Sequence, residues 1–130
     1  IRTATDWLDY YGVEVVDGIA TLFKAVDDDW STDNARSRGI TYAPGSTPEA
    51  ADWDGGKREC GGGLHFVPRP SLGLRFNDQG PKTRFVACPI ALAEIIVHPN
   101  PQYPFKVKAR RIAAPIYEVD RRGQPVNGHP

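Results

Sequence analysis

The stretch RECGGGLHFVPRP, residues 58–70, sets a thiol, three glycines and a histidine side by side: Cys60, Gly61, Gly62, Gly63 and His65. Each residue type has a chemistry to offer. A thiol beside a base is a nucleophile, and Cys60 with His65 is one such pairing. Glycine N–H groups can form a nest for an anion or stabilise a developing oxyanion. With Cys88 and His98 added, the residue types suit tetrahedral zinc. The spacing C-x4-H…C-x9-H matches no standard zinc module, so no metal is expected. The phosphate-loop patterns GxGxxG and GK followed by Ser or Thr are absent. The simplest reading is a tight corner feeding a strand, with His65 bonded to backbone.

A second group is the basic run KVKARR, where Lys106, Lys108 and Arg110 alternate with Val107, Ala109 and Arg111. Such cations can meet phosphates. The run has no interleaved aromatic residues and belongs to no nucleic-acid module, so nucleic acid is not expected as a partner. A strand with one solvated face, or an edge strand guarded by lysine, gives the same pattern. Asp27, Asp28 and Asp29 lack the glycine and glutamate of a calcium loop and read as a solvated acidic turn.

These residues need elements to position them. TATDWLDYYG predicts a short helix, with Thr5 as cap, Asp6 and Asp9 suited to its positive end, and Gly12 at its close. Asp17-Gly18 between β-rich runs predicts a hairpin, with strands at 13–16 and 19–26. On the second strand Ile19, Thr21, Phe23 and Ala25 share one face, and Ala20, Leu22, Lys24 and Val26 the other. GITYAPG predicts a short strand, and one helical turn is expected after Ser46 or Thr47. LHFVP predicts a central strand, and SLGLRF a helical turn capped by Ser71. Pro89 is expected to divide RFVACPIALAEIIV into strands at 84–88 and 93–97. Further strands are expected at 105–112 and 115–119. The sum is an α+β domain, compact and single, of short, mostly antiparallel strands with one or two short helices. It is expected to span residues 1–120, with 121–130 a disordered tail.

The totals agree with that picture. A chain of 130 residues suits one domain, and 13 Gly with 12 Pro point to many turns. Residues 1–62 hold 12 acidic and 6 basic side chains, and residues 63–130 hold 4 and 10, so a neutral chain has an acidic and a basic half. Such asymmetry suits mutual attraction within one fold, or an anion-binding half. No apolar run is long enough to span a membrane. Two cysteines make no disulfide scaffold, and the start does not read as a signal peptide. The chain begins at Ile1 and holds no Met, which reads as a trimmed or partial product. The default expectation is a cytoplasmic, soluble protein.

The order LFKAV, GITYAPG, ECGGGLHF, RFVACPI, KVKARRI resembles a small domain of unknown function found in phage and bacterial proteins. The likeness covers about residues 19–112, and Cys60…Leu64-His65-Phe66 is its most specific part. It implies a shape and a central motif, without an activity. More distantly, TLFKAV, GGLHFVPRPSLGLRF and PIYEVD are similar to the three strand regions of mono-ADP-ribosyltransferases. In this chain Lys24 stands where that family has His or Arg. The resemblance implies an NAD-using enzyme in which Lys24 meets a phosphate, His65 lies near the nicotinamide ribose and Glu118 is the catalytic acid.

Two functions are therefore expected to compete. One is a small binding module without a cofactor. It would hold a protein or an anionic small molecule in a groove between Gly61, Gly62 and Gly63 and the basic strand of Lys106 and Lys108. The other is an ADP-ribosyltransferase-like enzyme, or a degenerate relative of one, with NAD as cofactor, using Lys24, His65 and Glu118.

Overall fold

The computed structural model describes residues 3–32, 39–53, 62–99 and 101–126. Cys60 and Gly61 lie outside the described residues, as do 127–130 of the expected tail. The helix α1 spans Ala4–Tyr10. Its cap is Thr3 rather than Thr5: the Asp6 N–H donates to Thr3 Oγ1 at 3.1 Å, as an N-cap hydroxyl does three residues ahead. Trp7 and Leu8 are its buried residues, and Trp7 Nε1 donates to the Pro104 carbonyl at 2.8 Å.

The hairpin forms as its turn residues require. β1 is Val15–Val16 and β2 is Ile19–Val26. Asp17 and Gly18 between them have φ of 51° and 76°, the positive pair that a two-residue type I′ turn needs. β3 is Leu64–Phe66, β4 Arg84–Ala91, β5 Ile96–Val97, β6 Val107–Ala109 and β7 Tyr117–Val119. They form two antiparallel sheets, ordered β1-β2-β4-β7 and β3-β6-β5. The sheets meet at Phe23 and Val67, which exchange backbone hydrogen bonds of 2.8 and 3.0 Å. Leu22, Val26, Val86, Cys88 and Ile90 pack with Leu64, Phe66, Val107 and Ala109 to form the core, and Trp7 and Leu8 close it. The mixed, antiparallel architecture is thus the expected one, though richer in strand than in helix.

Several elements differ from expectation. Pro89 does not divide its run, because β4 continues through it opposite Thr21. In an antiparallel strand a residue's N–H and C=O leave on the same side. The Pro89 carbonyl accepts from Ala113 N–H at 2.9 Å, so the missing N–H also faces away from β2. It falls beyond Ala87–Tyr117, the last β4–β7 pair, and no ladder bond to β2 is lost. Residues 40–45 form no strand; Tyr42 N–H instead donates to the Trp30 carbonyl at 2.7 Å. No helical turn follows Ser46, and Glu49 makes a bridge with Arg111. Pro70–Arg75 is a 3₁₀ helix whose cap position is Arg69, not Ser71, without a side-chain cap bond. The strands expected at 105–112 and 115–119 shrink to β6 and β7. Residues 121–126 fold back on β7: Val126 N–H donates to the Glu118 carbonyl at 3.1 Å, and Pro125 bridges Val119.

Candidate functional site

The glycine corner is built against its own chain. Gly63 has φ of 135°, a conformation side chains disfavour, and its N–H donates to Asp52 Oδ1 at 3.2 Å. A Cβ on Gly62 would coincide with the Asp52 carbonyl. The backbone donor read as part of an anion nest thus faces a carboxylate of this protein. On the facing strand Lys108 is the register partner of His65. Lys108 is 0% exposed, its Nζ donates to the Gly62 carbonyl at 3.1 Å, and it lies 5.5 Å from the centre of the Trp53 ring.

This corrects the reading of the basic strand. β6 is the middle strand of its sheet, between β3 and β5, so Lys108 neither guards an edge nor sits on a solvated face. A buried ammonium requires nearby acceptors, which the corner supplies. His98, also buried, has its ring 6.3 Å from that of His65. Cys88 is buried on β4 opposite Leu22. Burial pushes its thiol up to about 12, with the nearby Lys24 charge pulling the other way. Such a thiol stays protonated and inert at neutral pH. Among the described residues no group of three His, Cys, Asp or Glu side chains is placed to hold a metal.

Of the three residues expected to be catalytic, the structure brings two together. Lys24 Nζ donates to the His65 main-chain carbonyl at 2.8 Å and faces the rings of Tyr42 and Phe66 at 4.9 and 5.8 Å. Glu118 shares a cross-strand row with Lys24, through Val86 between them. Two strand spacings, about 10 Å, therefore separate Lys24 and Glu118 along the sheet. The Glu118 carboxylate is held by Arg84 at 3.2 Å. The corner thus gathers Lys24, His65, Gly62, Gly63 and Lys108, while Glu118 and Lys106 lie elsewhere.

Lys106 leads to a surface the sequence did not announce. The 3₁₀ helix Pro70–Arg75, the 101–106 segment and the turn after β7 enclose an open groove of about 800 Å³. Leu72, Leu74, Tyr103 and Phe105 give its apolar wall, and Arg75, Arg121 and Asp78 its charged groups. Phe76, 44% exposed at the end of the 3₁₀ helix, meets Tyr103 edge-to-face at 5.0 Å and Phe105 at 5.8 Å. Arg75 lies 5.7 Å from the Tyr103 ring centre and Lys106 5.3 Å from that of Phe76, within cation–π range.

Three other arginines have acidic partners: Arg84 with Glu118, Arg110 with Glu49 at 3.3 Å and Arg111 with Glu94 at 3.0 Å. Arg75, Lys106 and Arg121 have no ion pair among the described residues. A signal for this site did exist in the adjacent cation–aromatic pairs Arg75-Phe76 and Phe105-Lys106. The pairs are remote in sequence, so only the fold joins them.

No family model, curated protein or solved structure matches this chain. The likenesses to the phage and bacterial domain and to the ADP-ribosyltransferases therefore rest on the residues quoted for them. Among the described residues, no helix is long and apolar enough to cross a membrane.

Proposed function

We propose that this domain is a binding module for an anionic ligand, held in the groove flanked by Arg75, Lys106 and Arg121. The observation that carries the reading is that three cations without acidic partners gather beside an open groove. Five other basic groups are committed. Lys24 and Lys108 donate to main-chain carbonyls, and Arg84, Arg110 and Arg111 face carboxylates. A groove walled by apolar rings focuses the field of such cations and draws anions in. The glycine corner then acts as scaffold. Its contacts with Asp52 and Lys108 fix the start of β3 and the course of β6, and β6 follows directly on Lys106.

The alternative, an NAD-using enzyme, draws support from the Lys24–His65 contact. The separation of Glu118 and its pairing with Arg84 count against it.

The test is binding of inorganic polyphosphate by calorimetry, with wild type beside the triple variant Arg75→Glu, Lys106→Glu, Arg121→Glu. Each of the three changes is also made singly, and Arg110→Glu serves as the charge-matched control for the single variants, since that side chain faces Glu49. The triple variant is expected to bind about tenfold more weakly or worse, with an unchanged circular dichroism spectrum and with the control near wild type. Equal loss in the control and the single variants would reduce the effect to net charge and sink the assignment of the groove. A thermal shift by NAD that Lys24→Ala abolishes would favour the enzyme instead.

A further inference from the structure

We propose that the anion taken by this groove is a single-stranded nucleic acid; this rests on the groove being an anion site. Three features of the groove suit three features of such a strand. Arg75, Lys106 and Arg121 suit its phosphates. Phe76, Tyr103 and Phe105 form one cluster of rings, with centroids 5.0, 5.8 and 6.1 Å apart. Bases splayed from a single strand stack on such side chains and on guanidinium planes. Asp78, the acid lining an otherwise cationic groove, can accept from the amino groups of bases, as can Gln102.

An acidic peptide fits less well. Its carboxylates would answer the cations but would leave the ring cluster of Phe76, Tyr103 and Phe105 unused. The basis for not expecting nucleic acid was the lack of aromatics between the lysines of KVKARR. The fold supplies them from elsewhere, setting Phe76 against Lys106 and Tyr103 against Arg75.

The test is fluorescence anisotropy with a labelled oligothymidylate of about fifteen nucleotides, within the span of a single binding groove. A labelled polyglutamate of matching charge is measured beside it over a salt series. The oligonucleotide is expected to bind more tightly than the peptide. The slope of log K against log salt is expected near −2, as for about three phosphate contacts to a single strand. Phe76→Ala and Tyr103→Ala should each weaken it about fivefold or more, while Phe76→Tyr, which keeps a ring, should hold near wild type. Polyglutamate binding should ignore the ring truncations.

Equal affinity for both probes, with no effect of ring truncation, would overturn the nucleic-acid assignment and leave the anion site standing. Preference for polyglutamate would overturn it in favour of an acidic protein partner. Binding of neither probe, together with indifference of polyphosphate binding to charge reversal, would overturn the anion site itself.

Discussion

Gly73→Ala should be the most informative single change, because it loads the contact that seats the groove on the sheet. Gly73 is buried in the 3₁₀ helix Pro70–Arg75, over the face of β2 that points away from the core. A Cβ there would stand 2.9 Å from the Ala25 backbone nitrogen and 3.0 Å from the Ala25 Cβ. Neither atom can yield easily, since β2 is paired with β4 along its whole length. The 3₁₀ helix must lift instead. Overpacking of this kind costs about 1–3 kcal/mol, and in a domain of this size about 2 kcal/mol lowers Tm by roughly 6–10 °C.

Thermal unfolding followed by circular dichroism gives that number directly. Arg75 and Phe76 lie at the end of the same short helix, so oligothymidylate affinity, measured well below Tm, should fall as well. Ser71→Ala, an exposed change on the same helix, should stay within about 0.5 kcal/mol of wild type. A Gly73→Ala protein with wild-type Tm would refute the reasoning, since the helix would then have room the structure denies it. A lowered Tm with full affinity would separate the groove from the seat beneath it.

Two further outcomes follow from the core and the hairpin. The Cys88 thiol is raised from 9.0 to about 12, so the folded state holds its proton more tightly than the unfolded state does. Its contribution to stability is complete below pH 9 and is lost as pH rises towards 12, by up to about 1.4 kcal/mol per unit. Urea denaturation of wild type and Cys88→Ala between pH 9 and 11 should show the steeper decline in wild type, and parallel declines would dismiss the effect. At Gly18, φ is +76° with nothing within 4 Å of an added Cβ, so Gly18→Ala should cost only the backbone term, about 1–2 kcal/mol. A urea midpoint unmoved by that substitution would mean the turn is not the one described.

What the sequence disclosed was what neighbouring residues decide among themselves. Asp17-Gly18 carries its hairpin because both positive φ values sit in two adjacent residues. The strands at β2 and β3, and the two faces of β2, follow from local alternation. Pro89 was misread because its effect depends on which side of the strand its nitrogen faces, set by the register with β2, and on whether β7 still runs beside it there. Lys108 was misread because alternation tells which face a side chain takes and not what covers that face. Here Trp53 and the Gly62 carbonyl, distant in sequence, do so. The groove was missed for the same reason: residues 75–76, 103–106 and 121 become neighbours only after both sheets have formed.

The register of β2 has a consequence for how the chain is made. Its β4 partner begins at Arg84, opposite Val26, so β2 leaves the ribosome well before the strand that will cover its long edge. At ordinary rates of synthesis that interval lasts several seconds. For that time Ile19–Val26 is an apolar strand with an open side, the kind of segment that pairs with copies of itself. The one charge in it is Lys24. In the finished domain that ammonium bonds the His65 carbonyl; before β3 has been made, it is the one charge that interrupts the apolar run, the feature that disfavours self-pairing of such a segment.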